Sequence, residues 1–152
     1  MSFLLTPHIA VLDTTSQAIA TANTPQVITF DTVSILKKMT ALSTSRFNVL
    51  EHGDYLLAYT VEVTATNANK KLDIWIRVNG VDVPLTNVQT TVVNNEVRFS
   101  SSVNTLVLVP DDYVELWMSG DSNTLSLASL PAGTTPTRPA SPSIRMTIDR
   151  LP

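Results

Sequence analysis

The residues in this sequence that could carry out acid–base or metal chemistry are few. Its two histidines are His8 and His52, and His52 stands close to Glu51 and Asp54 in one predicted turn. A metal ion or a proton-transfer reaction needs side chains that converge on one point, whereas neighbouring turn residues point in different directions. We therefore interpret these residues as part of a turn and predict no catalytic or metal-binding site there.

Other common site motifs are missing. Asp111, Asp112 and Asp121 do not have the spacing of a calcium-binding loop, so we interpret them as turn-forming aspartates. The chain has no cysteine for a thiolate metal site, and its four glycines are too dispersed for a phosphate-binding loop. We predict no catalytic, metal-binding or cofactor-binding residues, and we expect that the protein is not an enzyme.

The composition argues against nucleic acid and membranes as partners. The 152 residues carry a formal net charge of −3, and charged residues make up 15% of the chain. Nucleic-acid binding needs basic residues gathered on one face, and the basic pairs Lys37-Lys38 and Lys70-Lys71 are interpreted as solvated turn or edge residues. No stretch approaches the roughly 20 apolar residues that span a bilayer. We expect no nucleic-acid partner, no membrane insertion and synthesis without export.

Short alternating segments dominate most of the sequence. Residues 72–78 alternate apolar and polar side chains and are followed by Asn79-Gly80, a strong signal for a hairpin turn. Residues 34–42 fit either one helical turn or a loop, and the proline-rich residues 131–142 are predicted to be a loop without regular pairing. This pattern predicts an all-β fold, an antiparallel β-sandwich or jelly roll, and an immunoglobulin-like sandwich would give a similar pattern.

The predicted organisation is an N-terminal arm, residues 1–24, followed by a jelly-roll domain, residues 25–152. The first segment mixes apolar residues with Thr, Ser, Asn and Ala and shows little sustained period, apart from a short strand predicted at 9–12. Sustained strand periodicity begins only after it.

The strand predicted after Gly53 is apolar on both faces over half its length. Tyr55, Leu57 and Tyr59 form one apolar face, and Leu56 and Ala58 make the opposite face apolar too. A strand whose one side is solvated normally alternates apolar and polar residues. Both faces of this strand must therefore be covered, and we predict that another copy of the same chain covers one of them.

The two tryptophans each share a predicted strand face with charged residues. Trp75 alternates with the core-facing residues of its strand and lies beside Arg77, and Trp117 lies beside Glu115. Either each ring is half-buried under a loop, or both rings contribute to an interface, where Trp and Tyr are enriched. Both interpretations remain open from the sequence.

Four segments resemble elements of the globular heads of the complement and tumour-necrosis-factor superfamily, and they follow one another along the chain in the same order as those elements. Residues 53–63 read Gly-Asp-Tyr-Leu-Leu-Ala-Tyr-Thr-Val-Glu-Val, and the family strand has the pattern Gly-x-Tyr-x-(aromatic or Leu)-x-Tyr-x-Val-x-Val. Residues 47–49 before it, and residues 76–80 and 105–116 after it, are similar to further family elements. In the last of these, either Pro110-Asp111 or Asp111-Asp112 stands where the family has Gly-Asp. The resemblance covers roughly residues 26–150.

This resemblance implies a ten-strand jelly roll that assembles as a tight homotrimer and has no enzymatic activity. Similar trimeric jelly rolls occur in bacteriophage virions as decoration or cement proteins and as fibre heads. We therefore hypothesise a structural protein, made in the host cytoplasm, that binds the outer capsid surface and stabilises the shell. Its partners would be copies of itself and a major capsid protein or another virion protein.

The main alternative is a receptor-binding head of a phage fibre or tail, which would recognise a glycan or protein on the host surface. An extracellular ligand-binding module of a cellular organism is a third hypothesis, disfavoured because the sequence has neither a recognisable export signal nor a collagen-like stalk.

Two sets of residues are predicted to make the contacts of this assembly. The N-terminal arm, residues 1–24, is predicted to contact the capsid, since a polar arm can become ordered on binding, with residues 131–142 as a second contact. The predicted capsid-contact residues are Phe3, Leu4, Leu5, His8 and Ile9. The predicted residues of the trimer interface are Tyr55, Leu57, Tyr59, Trp75, Tyr113 and Trp117.

Overall fold

A computed structural model describes residues 5–67 and 69–152 of the chain. These residues form β-strands joined by turns, and they contain no helix, hence none that could cross a membrane. The strands, in chain order, are β1 (His8–Asp13), β2 (Gln17–Ala18), β3 (Gln26–Val27), β4 (Thr32–Lys37), β5 (Met39–Ala41), β6 (Phe47–Val49), β7 (Gly53–Ala65), β8 (Lys70–Val78), β9 (Val81–Asp82), β10 (Val88–Val92), β11 (Val97–Leu108), β12 (Tyr113–Gly120), β13 (Leu125–Leu127), β14 (Gly133–Thr134), β15 (Thr137–Arg138) and β16 (Ile144–Arg150).

The first sheet is built around β7. It contains seven strands, and β4, β1, β16, β7 and β11 lie side by side in that order. β11 pairs antiparallel with β7 along all of its 12 residues. On the other side of β7, β16 pairs with residues 55–61 and β13 pairs with residues 63–65. β7 therefore holds this sheet together along both of its edges.

The second sheet covers one face of the first. It also contains seven strands, in the order β10-β8-β12-β6-β5, with β9 paired to β8 and β3 paired to β12. Because side chains alternate along a strand, every second residue of β7 points into the space between the sheets. These residues of β7 are between 0% and 2% exposed, and they are Tyr55, Leu57, Tyr59, Val61, Val63 and Ala65. They form one core with the inward side chains of β8 and β12, which are Leu72, Ile74, Ile76, Val114, Leu116 and Met118.

The predicted arm is wrong over residues 8–18. The strand expected at 9–12 is confirmed, but it belongs to β1, which pairs with β16 on one side and β4 on the other. β2 pairs with β13, so it too belongs to the first sheet. This segment is part of the jelly roll because its backbone hydrogen bonds are made to strands far along the chain.

Two further segments differ from the prediction. Residues 34–42 form parts of β4 and β5, because β4 pairs with β1 and β5 pairs with β6, and Lys38, at φ 49°, turns the chain between them. The proline-rich residues 131–142 contain a small hairpin of β14 and β15, which uses non-proline residues for its pairs.

Two tight turns determine how β8, β11 and β12 meet. Asn79 and Gly80, at φ 52° and 78°, confirm the predicted hairpin between β8 and β9. Asp111 has φ 75°, a left-handed conformation that favours glycine. The carboxylate of Asp112 accepts hydrogen bonds from Val109 N at 2.9 Å and Asn79 Nδ2 at 2.7 Å. In this turn Asp111 is therefore the left-handed residue, and Asp112 is the carboxylate that closes the turn.

We predict that Asp111→Gly increases the free energy of unfolding by about 0.5–1 kcal/mol, because glycine adopts the left-handed conformation without a Cβ clash. The matched variant Asp111→Ala removes the same carboxylate but keeps Cβ, so it should be about 1 kcal/mol less stable than Asp111→Gly. Chemical denaturation at one fixed protein concentration measures both. Equal stabilities of the two variants would show that the backbone at Asp111 is not strained.

Candidate interaction faces

The outward side of the first sheet carries exposed apolar side chains. Leu56 and Ala58 alternate with the core residues of β7 and are half-buried on this side. On β11, Val103 lies directly opposite Ala58, and Phe99 and Val107 point the same way. Phe99, Val103 and Val107 are 67%, 65% and 69% exposed. Side chains of this size are usually covered when several lie together on one strand.

The same side continues across β16, β1 and β4. Ala10 and Leu12 of β1 alternate with the buried residues of that strand, and Ile35 of β4 pairs with Ala10. The edge strand β4 also exposes Val33 and Leu36 by 46% each. We call this outward side the apolar face, and it consists of Leu56, Ala58, Phe99, Val103, Val107, Ala10, Leu12 and Ile35.

The structure contradicts the prediction for three of the six trimer-interface residues. Tyr55, Leu57 and Tyr59 lie in the core, at 0% to 2% exposure, so no second chain can contact them. The opposite residues of β7, Leu56 and Ala58, face outward. The sequence contained a signal for which side of β7 lies in the core. Val61 and Val63 continue the side of Tyr55, whereas polar residues continue the side of Leu56.

The predicted interface residues Trp75 and Trp117 lie on the outward side of the second sheet, away from the apolar face. They pair across β8 and β12, and the Arg77 guanidinium carbon is 3.9 Å from the ring centroid of Trp117 and 5.9 Å from that of Trp75. Asp82 accepts hydrogen bonds from Trp75 Nε1, at 2.7 Å, and from Arg77 Nε. The hydrogen bonds from Arg77 and Trp75 lower the pKa of Asp82. Within this cluster Arg77, Asp82 and the Trp75 indole are bonded to one another, whereas Trp117 Nε1 is buried without a hydrogen-bond partner among the described residues.

Tyr113, the last predicted interface residue, lies in a similar cluster on the same outward side. The Arg46 guanidinium carbon is 4.8 Å from the centroid of the Tyr113 ring, and Arg46 Nε donates to Glu115 Oε2 at 3.2 Å. The Glu115 side chain is 3% exposed. The six residues predicted to form one interface therefore divide between the core and the second sheet, and they do not form one surface.

The predicted capsid-contact residues also divide. Ile9 is 0% exposed in the core, so its prediction is wrong, whereas Leu5 is 52% exposed. His8 contacts Asp149 through its Nδ1 atom and is partly exposed. Phe3 and Leu4 lie outside the described residues.

The titratable residues near His52 serve the structure of the turn. Glu51 pairs with Lys38 Nζ at 3.0 Å and with Arg150 Nη1 at 3.5 Å, and its carbonyl oxygen accepts a hydrogen bond from the Tyr55 hydroxyl at 2.8 Å. In the part of the chain that the structure describes, no three His, Asp or Glu side chains lie close enough together to hold a metal ion.

Two antiparallel sheets packed face to face, with the chain crossing between them, define a jelly roll. Murine APRIL at pH 8.0 has a similar structure, with a TM-score of 0.64 and 11% sequence identity over 97% of this chain and 100% of that chain. Murine APRIL at pH 8.5 matches over the same shares, with a TM-score of 0.61 and 10% identity.

The globular domain of zebrafish complement 1qA is also similar, with a TM-score of 0.60 and 16% identity over 97% of this chain and 98% of that chain. No family model and no curated protein matches the sequence. These similarities confirm the predicted fold class, an all-β antiparallel jelly roll.

The burial of Tyr59 predicts a loss of stability at high pH. Burial raises the pKa of Tyr59 from 10.0 to about 12, so the folded chain favours the neutral phenol. Its contribution to stability is complete below pH 10 and is lost as the pH rises from 10 toward 12. We expect the free energy of unfolding to fall by about 1 kcal/mol between about pH 9 and about pH 11 because of Tyr59 alone.

Tyr59→Phe should remove this part of the pH dependence, as measured by denaturation at the two pH values. The matched variant Tyr113→Phe leaves Tyr59 in place and should keep it. If wild type and Tyr59→Phe lost stability equally over this interval, the phenol of Tyr59 would have to reach solvent.

Proposed function

We propose that this protein is a non-enzymatic structural subunit of a bacteriophage virion, that it works as a homotrimer, and that it decorates the outer surface of the capsid after synthesis in the host cytoplasm. The observation that carries the assembly is the apolar face of the first sheet. The virion role rests on the resemblance of residues 53–63 and their flanking segments to a superfamily whose trimeric jelly rolls also occur in bacteriophage virions.

Burial against other copies of the chain would stabilise the apolar face. Phe99, Val103 and Val107 are each about two-thirds exposed. Burying a side chain of this kind contributes about 1.5–3 kcal/mol relative to leaving it in water. An obligate interface of about 2,000 Å² or more would cover such a face and hold the copies together.

The positions of the exposed side chains support a closed ring. β11 forms one edge of the first sheet and β4 the other, and both strands expose apolar residues. A contact between the β11 side of one copy and the β4 side of the next is head-to-tail, and such contacts repeat until the ring closes. Three copies are the number implied by the resemblance.

A decoration protein would bind the shell by surface contact. In a ring that covers the apolar face, the second sheet and the loops at the ends of the sandwich remain available. Leu5 and the hairpin of β14 and β15 within residues 131–142 are the segments that we propose for contact with a major capsid protein or another virion protein. Several weak contacts per trimer would act together, because once one contact is made the others are intramolecular.

Val103→Asp should break the assembly, because it places a charge where the face would be buried. The matched control is Val81→Asp, since Val81 is 69% exposed on the hairpin of the second sheet. We expect light scattering to give three times 16.5 kDa for wild type and for Val81→Asp, and a lower mass for Val103→Asp. A wild-type protein that stays monomeric at micromolar concentration would contradict the proposed trimer.

The capsid role predicts that particles lacking this protein lose their contents at a lower temperature or after a milder osmotic shock than complete particles. Adding the purified wild-type protein to the deficient particles should restore their resistance, and adding Val103→Asp should not. Equal resistance of complete and deficient particles would contradict stabilisation of the shell. Electron microscopy that located the protein only at a fibre or tail tip would instead support a receptor-binding head.

A further inference from the structure

Arg145 is an unpaired charge on the apolar face. It lies on β16 opposite Thr60 of β7, and its side chain is exposed. Within the described residues, Arg145 has no hydrogen-bond or ion-pair partner. The other arginines have partners: Arg46 with Glu115, Arg77 with Asp82, Arg98 with Glu96, Arg150 with Glu51, and Arg138 with the carbonyl oxygens of Thr135 and Pro136. Covering Arg145 without giving it a partner would oppose assembly.

Glu62 is an incompletely paired carboxylate at the same end of the apolar face. It is two residues from Thr60 along β7, so it points to the same side of the sheet as Arg145. Its Oε1 atom accepts a hydrogen bond from Ser141 Oγ at 2.9 Å, whereas its Oε2 atom is buried and has no partner among the described residues. A buried carboxylate oxygen without a donor is unfavourable.

A cavity lies beside Arg145 on this face. It has a volume of about 230 Å³, and Arg145 lines it together with Leu12, Ser129 and Ser141. Ser141 is the residue that donates to Glu62. A side chain that entered this cavity from outside would therefore contact Arg145 and also Ser141, the residue bonded to Glu62.

We propose that Arg145 of one copy pairs with Glu62 of the next copy when the apolar face is covered. This inference rests on the proposed assembly and adds the polar contact that sets its register. Glu62 would change its side-chain conformation as the second copy docks, so that Oε2 turns toward the guanidinium. Each copy would then give one arginine and one glutamate, so every subunit boundary would contain one such pair.

The charge pattern favours a second copy as the occupant. A partner that pairs with both groups must present a carboxylate to Arg145 and a cation to Glu62, and this face of the chain presents both kinds of group, its other exposed cation being Lys37 on the edge strand β4. Asp149, the carboxylate beside Arg145 on the same side of β16, is already in contact with His8. Asp54 lies farther along β7, opposite Val107, and so away from Arg145.

The test reverses each charge in the full chain and measures the dissociation constant of the assembly by sedimentation equilibrium. Arg145→Glu and Glu62→Arg should each weaken the assembly by about tenfold or more, because each places two like charges at a covered boundary. Two controls make a charge reversal elsewhere: Asp54→Arg on the same face, and Lys71→Glu on the second sheet. Both controls should weaken the assembly by less than about threefold.

Mixing the two single variants distinguishes a pair between copies from a pair within one chain. In an equal mixture, a boundary between Arg145→Glu and Glu62→Arg chains joins opposite charges, so the mixture should assemble more tightly than either variant alone. A pair within one chain would be rescued in the double variant Arg145→Glu/Glu62→Arg but not by mixing, and that result would overturn the proposal.

The outcomes also separate this inference from the proposed function. If the wild-type chain did not assemble, the proposed trimer itself would be wrong. If wild type assembled and neither single reversal weakened it, the trimer would stand and the Arg145–Glu62 pair would be rejected. Circular dichroism of each variant checks that a weaker assembly does not come from an unfolded chain.

Discussion

The rest of the structure depends on the backbone pairing of β7 with β11 on one side and with β16 and β13 on the other. These ladders fix which residues of β7 face the second sheet. Since side chains alternate along a strand, a slip of one residue would turn Tyr55 and the other inward side chains of β7 out of the core. The same register turns Phe99, Val103 and Val107 of β11 outward. The core and the apolar face are thus two results of one set of hydrogen bonds.

Local patterns predicted the elements whose structure is decided locally. The alternation of residues 72–78 and the turn at Asn79-Gly80 are both confirmed, because a hairpin is specified by its own residues. β1 and β4 were harder, since His8 pairs with Asp149, far along the chain, and residues 34–42 become strand only because β1 and β6 lie beside them. Pairing between distant segments leaves little trace in either segment alone.

The candidate faces were predicted in outline but with the wrong residues. The alternation of residues 55–59 predicted a strand with two apolar faces, and Val61 and Val63 indicate which of these faces lies in the core. The exposed valines of β11 were missed because alternation alone does not say which side faces solvent. For the tryptophans, the contacts with Arg77 and Asp82 depend on three-dimensional neighbours. A sequence lists the candidates for an interface, but packing decides among them.

The two outward sides of the sandwich differ in how many of their arginine side chains are paired within the chain. On the second sheet, Arg77 stacks on Trp117 and pairs with Asp82, and Arg46 pairs with Glu115. Such a surface loses these contacts or their hydration if another protein covers it, so covering it gains little. The second sheet exposes Val81 and Leu85 at its hairpin and the loop after it, whereas the first sheet exposes a row of apolar side chains along β11, and Arg145 has no partner there among the described residues. Covering that side removes apolar surface from water and gives its charged groups partners, and this difference is the physical reason to place the subunit boundary on the first sheet.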